Sequence, residues 1–242
     1  MRKQVASIVL SVLAMPVVAA DSGSFQWSVT PYLWLPQTKL DLALEDEALG
    51  SGRISFSDLL DQLDAGFMIS VEGRRNNWSV LVDLTYAELS DSEQRPVFRV
   101  ETQTEAVMLD AGVAYWPAGG GTPLSLIAGI RYHDFDNRFR FRLGDTLVSE
   151  VRDATDYMDA LLGIRYRHEL GGRWDLLTRA DASFGDSDGT WMLRATFGRT
   201  FGQSQRNRFL LGYQYRRADF SSGDLQMEFT YHGPTAGFNF RF

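Results

Sequence analysis

Residues 235–242 close the chain with the sequence TAGFNFRF, and this stretch decides the fold. Ala236, Phe238, Phe240 and Phe242 occupy every second position, with polar residues or glycine between them. This alternation predicts a β-strand with one apolar face. The last residues of a soluble domain are usually frayed and polar. A strand that stays apolar to its final residue indicates that a partner protein or lipid covers that face.

The first 20 residues have the pattern of a secretory signal peptide. Arg2 and Lys3 precede the apolar run VASIVLSVLAMPVV, and small residues end the segment before Asp21. We predict a signal peptide over 1–20 and one mature domain over 21–242, because all-β domains of this length commonly form a single unit. No other segment approaches the roughly 20 continuous apolar residues that a membrane-spanning helix needs.

The composition argues against several kinds of site and partner. The chain has no cysteine, which excludes disulfides and thiolate metal sites. Its formal net charge is −7, or about −9 without Arg2 and Lys3, which argues against a nucleic-acid partner because phosphate binding needs a basic surface. Only three histidines are present. We predict no catalytic residue, no cofactor and no metal site, and we do not expect an enzyme.

Ten segments show period-two patterns separated by turn residues. They lie near 25–35, 66–75, 78–89, 97–116, 124–143, 148–168, 174–185, 190–201, 209–220 and 225–242. Eight or twelve strands remain alternatives, because TKLDLALE and GRISFS could add a hairpin. The region 36–64 is predicted as a long extracellular loop that holds a short helix, SDLLDQL, with Ser57 as its N-cap. Gly233-Pro234 predicts a β-bulge, because the apolar positions change parity there.

The spacing of turns and aromatic residues separates a membrane barrel from a secreted sandwich. If the C-terminus is periplasmic, the compact connections RRNN, PAGGGTP, ELGGR and GQSQRN lie on the periplasmic side. Most of the longer connections, 36–64, 88–96 and the tip near 144, then lie outside. Aromatic residues then form two girdles, as expected at the two lipid–water interfaces. The sequence predicts an all-β, closed antiparallel up-and-down transmembrane β-barrel of about ten strands in the Gram-negative outer membrane. Its partners are outer-membrane lipids, and we expect a monomer.

Several motifs resemble a family of Gram-negative outer-membrane β-barrel proteins, most of them uncharacterised. These motifs are TPYLW, SFSDLL followed by GFMISVEGRR, GIRYR, FGDSDGTWML, GYQYR and the closing GFNFRF. The resemblance extends over nearly the whole mature chain. It implies that Phe242 is read by the barrel assembly machinery. It supplies no catalytic motif.

If apolar residues face lipid, their sequence neighbours face the lumen. This parity predicts a lumen lining of acids, arginines and one glutamine: Glu72, Arg74, Asp83, Asp110, Arg131, Asp159, Arg165, Arg179, Asp181, Arg194, Gln214, Arg216 and Arg241. Charges packed so closely must pair, so we predict an arginine–carboxylate lattice. Two interpretations remain open. The lattice is either a rigid polar core or the wall of a narrow channel for small solutes or ions.

Other candidate sites lie outside the lattice. Arg138, Arg140 and Arg142 share one strand face and are predicted to contact lipopolysaccharide phosphates, or alternatively to pair across a solvated hairpin tip. His133 is interpreted as a solvated rim histidine, with a surface lipid-modifying enzyme centred on it as an alternative function. The outer segments are acidic and the periplasmic turns are basic, so an adhesin or ligand-binding barrel is a further alternative. The helix in 36–64 either covers the mouth as a lid or rests against the strands outside.

Overall fold

The computed structural model describes residues 25–44, 47–94, 99–144, 146–203, 205–222 and 225–242. The predicted signal peptide lies outside the described residues. Within the described residues there is one helix, which has seven residues, and no helix is long and apolar enough to cross a membrane.

Nearly all described residues belong to strands. In chain order the elements are β1 Gln26–Trp34, β2 Gln37–Leu44, β3 Glu47–Ile54, α1 Phe56–Gln62, β4 Leu63–Arg75, β5 Trp78–Gln94, β6 Arg99–Tyr115, β7 Leu124–Leu143, β8 Thr146–Gly171, β9 Trp174–Gly185, β10 Gly189–Phe201, β11 Asn207–Ser222 and β12 Leu225–Arg241.

Ten of the strands form a closed antiparallel barrel. The order around the ring is β1-β4-β5-β6-β7-β8-β9-β10-β11-β12, and β12 pairs back to β1. The closing pairs run from Ser28↔Arg241 to Trp34↔Thr235, and the last amide, Phe242 N–H, donates to the Trp27 carbonyl at 2.9 Å. The predicted all-β barrel of about ten strands is confirmed. Closure matters because an open sheet edge leaves backbone groups without partners.

The remaining strands, β2 and β3, form the extra hairpin that the sequence offered as an alternative. They add to the sheet outside the ring: β2 pairs with the first half of β12, from Leu225↔Leu44 to His232↔Gln37, and β3 pairs with β2. The region 36–64 is therefore a hairpin followed by a helix rather than a plain loop.

The predicted bulge at Gly233-Pro234 is wrong. The β11–β12 pairing runs without a register shift from Arg208↔Asn239 to Ser222↔Leu225. The apolar positions change parity for another reason: Phe229 and Tyr231 point into the lumen, where Phe229 packs against Phe220 at 5.9 Å between ring centroids. The sequence argument failed because it took every apolar residue of a strand to face outward.

The barrel is polar inside and apolar outside, the reverse of a soluble protein. Exposed apolar side chains occur on the outer face of all ten barrel strands; one from each, in ring order, is Leu33, Phe67, Val80, Val113, Ile130, Leu162, Phe184, Leu193, Leu211 and Phe238. Outward aromatic residues pair across neighbouring strands, as in Trp78–Tyr115 and Trp191–Tyr215, with ring centroids 4.4 and 4.8 Å apart.

The two ends of the barrel differ. One end of the barrel, which we call the turn end, carries Phe242 and the turn residues 76–77, 116–123, 172–173, 202–203 and 205–206. The opposite, hairpin end carries the long hairpins β5–β6 and β7–β8. The outer connections predicted near 88–96 and 144 are largely paired strand: β5 extends to Gln94, β6 begins at Arg99, and β8 has 26 residues.

Helix α1 begins after Ser55, so the predicted N-cap, Ser57, is wrong by two positions. Ser55 and Asp58 form a reciprocal capping box: Asp58 N–H donates to Ser55 Oγ at 3.3 Å, and Ser55 N–H donates to Asp58 Oδ2 at 3.1 Å. Hydrogen bonds from the Ser55 hydroxyl and backbone hold the Asp58 pKa below its ordinary value. The helix buries none of its residues, so it does not plug the lumen.

Candidate functional site in the barrel lumen

An ion-pair cluster in the lumen forms around Arg131, which is fully buried. Its guanidinium donates to both carboxylate oxygens of Asp110, at 2.8 and 2.9 Å, and to Asp181 Oδ1 at 2.7 Å. Asp110 lies on the neighbouring strand β6, but Asp181 lies on β9, so the second contact passes over β8. Gly163 of β8 provides the room, because a Cβ there would lie 2.6 Å from the Cβ of Asp181.

Two more arginines reach the same carboxylates. Arg179 donates to Asp181 Oδ2 at 2.7 Å and to Asp110 Oδ2 at 3.3 Å, and Arg216 Nη2 lies 3.5 Å from Asp110 Oδ2. We call Asp110, Arg131, Arg179, Asp181 and Arg216 the central layer. Its two aspartates are 4% and 5% exposed, so solvent barely reaches them from either end.

A second ion pair spans the barrel on the turn-end side of the central layer. Arg194 Nη1 donates to Asp83 Oδ2 at 3.3 Å, and its Nε donates to Gln214 Oε1 at 2.6 Å. The Tyr32 hydroxyl also donates to Asp83. Asp83 lies on β5 and Arg194 on β10, which are five strands apart in either direction around the ring of ten. The contact therefore crosses the full width of the lumen.

Nearer the turn end, Glu72 of β4 and Arg165 of β8 form a bidentate pair at 2.9 and 2.7 Å. Ser79 Oγ donates to Glu72 Oε1 at 2.6 Å. The Arg165 guanidinium also lies 5.3 Å from the Trp116 ring centroid, and Arg74 covers the same ring at 3.9 Å. Arg74 donates to the Gly120 carbonyl.

Aromatic residues fill the lumen on the hairpin side of the central layer. His133 is 1% exposed and contacts the Tyr157 hydroxyl through Nδ1, while its Nε2 lies 3.2 Å from Arg216 Nη1. The interpretation of His133 as a solvated rim residue is therefore wrong: alternation turns it inward, opposite to its neighbour Asp134. Tyr157 packs on Phe220 at 4.7 Å, and Tyr231 packs on Trp34 at 6.3 Å.

Two residues of the predicted lining make other contacts. Asp159 is opposite Arg131 in the β7–β8 register, yet it accepts hydrogen bonds from Ser183 Oγ, Ser187 N–H and Ser187 Oγ at 2.9, 3.1 and 2.6 Å. It thereby holds the turn that follows β9. Arg241 donates to Asn239 Oδ1 at 3.3 Å, and no carboxylate lies within ion-pair distance of it among the described residues.

The three arginines of the β7 tip form ion pairs across the hairpins. Arg140 Nε donates to Glu150 Oε2 at 3.0 Å, Arg138 lies 3.7 Å from Glu150, and Arg142 Nε donates to Glu101 Oε2 at 3.0 Å. These contacts match the alternative of a hairpin tip with cross-strand partners.

Sequence reasoning missed several lumen residues that the same alternation would have found. Trp174 and Phe209 face outward, so Asp175 and Arg208 face inward, where they form an ion pair. Tyr32 and Trp34 follow in the same way from the outward Leu33. The prediction assigned aromatic residues only to the membrane girdles and therefore overlooked those that fill the lumen.

The donor set offers no built metal centre. Within the part of the chain that the structure describes, no group of three or more histidine, aspartate or glutamate side chains could hold a metal ion. The carboxylates of the central layer instead contact guanidinium groups.

No family model and no curated protein matches this chain. Among solved structures, it is similar to the outer membrane protease OmpT of Escherichia coli, with 12% identity, a TM-score of 0.49 and coverage of 93% of this chain and 99% of that one. It is also similar to Ail of Yersinia pestis, solved with the heparin analogue sucrose octasulfate. The identity is 10%, the TM-score is 0.42, and the match covers 90% of this chain and 99% of that one. For the translocator domain of autotransporter NalP from Neisseria meningitidis, the identity is 11% and the TM-score is 0.41. The match covers 100% of this chain and 95% of that one. Similarities at this level carry no information about activity or ligand.

Proposed function

We propose that this chain is an integral outer-membrane β-barrel protein whose lumen is closed by its own side chains, so that it acts as a structural barrel or as a tightly gated narrow channel. The closed ring and the apolar outer face support membrane insertion, because a transmembrane barrel must satisfy every backbone group internally and present apolar residues to lipid. The turn end, with its short connections, is then periplasmic.

The main evidence for a closed lumen is two ion pairs that span it. Asp83 contacts Arg194, and Asp110 contacts Arg216; in both pairs the strands are five apart around the ring of ten. These contacts cross the lumen, and the side chains of the central layer around them are at most 10% exposed, which supports a closed lumen at this level. Removing one partner of either pair would leave the other partner buried with fewer counterions. The ion pairs therefore favour the closed arrangement.

Single-channel recording in a planar lipid bilayer tests this proposal. We expect the wild-type barrel to give no conductance steps. The triple variant Asp110→Ala, Arg131→Ala and Asp181→Ala removes three charges of the central layer, and we expect steps from the path that this opens. The double variant Arg140→Ala and Glu150→Ala removes an outer ion pair and should stay silent.

Each outcome has a clear meaning once heat-modifiable gel migration has shown that all three proteins are folded barrels. Steady conductance by the wild type contradicts a closed lumen. Silence of the folded triple variant removes the gated channel and leaves the structural barrel, with the aromatic residues as a second seal.

A further inference from the structure

A cavity of about 960 Å³ occupies the lumen between the central layer and the turn end. Its walls include residues 120–123 and 205–206 of the turns and the terminal Phe242, so it opens at this end. The central layer closes it on the other side. The cavity is therefore a blind pocket with a single mouth, which faces the periplasm in the orientation proposed above.

The pocket is strongly basic. Eight of its lining residues are arginines, against three with acidic side chains. Ion pairs compensate five of these arginines: Glu72 holds Arg165, Asp83 holds Arg194, Asp110 and Asp181 hold Arg179, and Asp175 contacts both Arg208 and Arg167. Among the described residues, no carboxylate lies within ion-pair distance of Arg74 or Arg241, although both line the pocket.

These free guanidinium groups are held in place. The Arg74 guanidinium lies over the Trp116 ring, 3.9 Å from its centroid, and donates to the Gly120 carbonyl. Arg241 is fixed by its hydrogen bond to Asn239. Arg167 and Arg74 repel Arg241, while the carboxylates of Asp175 and Glu72, which lie beyond ion-pair distance, attract it. A bound anion would relieve this repulsion at little cost in side-chain ordering.

We propose that this pocket binds a small polyanion, with two or more carboxylate or phosphate groups, from the periplasmic side. Guanidinium groups match both anions in shape, since their paired N–H groups donate to two oxygens at once. The apolar side chains of Leu81, Leu210 and Trp116 add a wall for a nonpolar part of the ligand. The pocket volume lies in the range of roughly 300–1,000 Å³ that is typical of small-molecule sites.

Isothermal titration calorimetry of the full mature barrel in a non-ionic detergent tests the proposal. The probes are citrate, as a polycarboxylate, and pyrophosphate, as a polyphosphate; the stronger one identifies the source of the anionic groups. We expect saturable binding at low salt that weakens as sodium chloride is added, because exposed charges are screened. The double variant Arg74→Gln and Arg241→Gln should bind at least tenfold more weakly.

The matched control is the double variant Arg138→Gln and Arg140→Gln, which removes two cations at the hairpin end and should bind like the wild type. Absence of saturable binding of both probes overturns the proposal, as does an equal loss in both double variants, which would indicate a nonspecific charge effect. This inference uses the orientation proposed above only to place the pocket mouth. Binding in detergent is independent of conductance, so the two proposals can fail separately.

Discussion

At the scale of single residues, Arg131 depends on the carboxylates around it. A charge buried in a narrow lumen is stable only when hydrogen-bonded counterions replace its lost hydration. Asp110 and Asp181 provide this, and Gly163 leaves the space through which Asp181 reaches Arg131. The close approach of backbone and carboxylate thus requires a residue without a side chain on β8.

Removing the Arg131 guanidinium should therefore destabilise the barrel. We expect Arg131→Leu to lower the free energy of unfolding by about 3–5 kcal/mol, because it leaves two carboxylates buried with fewer counterions. The measurement is urea-induced unfolding in lipid vesicles, followed by tryptophan fluorescence.

The control for this prediction is Arg140→Leu, since Arg140 pairs with Glu150, whose side chain is 40% exposed. An exposed pair contributes about 0–1 kcal/mol. Adding Asp110→Asn to Arg131→Leu should recover part of the loss. Equal effects of the two single substitutions would contradict the role given to the central layer.

Alternation along strands explains how far the lumen was predictable. It placed Arg131, Asp110 and Asp181 on strand faces that the structure brings together. It left open which charges pair, because pairing across a barrel depends on register and on glycine gaps. Asp159 illustrates the limit: it has the parity of the lattice but contacts the serines of a turn.

At the scale of elements, β12 pairs on one edge with two different strands along its length. Its second half pairs with β1 and closes the ring, and its first half pairs with β2 in the added hairpin. The sequence suggested this hairpin through TKLDLALE and GRISFS but could not place it, since the alternation of a strand does not tell which partner it pairs with. The wrong bulge at Gly233-Pro234 has another cause: Phe229 and Tyr231 are apolar residues that face the lumen.

Deleting residues 37–54 should leave the ring intact, because β1 and the second half of β12 do not use the hairpin. We expect the shortened protein to keep the heat-modifiable gel migration of a folded barrel. Deletion of residues 235–242 is the matched comparison and should abolish it, because these residues pair with β1. If loss of 37–54 also abolished the folded band, the hairpin would be part of the closure.

At the scale of the whole molecule, the solvent around the barrel decides which substitutions matter. Leu162 and Leu170 of β8 are similarly exposed, at 55% and 48%. Leu162 lies midway between Met158, which pairs with Tyr132, and the outward Tyr166, whereas Leu170 lies next to the turn at 172–173.

We expect Leu162→Arg to lower the free energy of unfolding in lipid vesicles by about 2–4 kcal/mol and Leu170→Arg by about 0–1 kcal/mol, because the cost of an arginine on the lipid face depends on depth. Urea-induced unfolding measures both. In a protein surrounded by water the two substitutions would have similarly small effects, and that result would contradict the membrane assignment.

The seam between β1 and β12 has a consequence for biosynthesis. Asn239 Nδ2 donates to Thr30 Oγ1 at 2.8 Å across a sequence separation of 209 residues. One edge of β1 pairs with β4, but its other edge has no partner until β12 has been synthesised, and pairing over such separations is slow. The ring can therefore close only after the last strand has been synthesised, so closure of the barrel is post-translational.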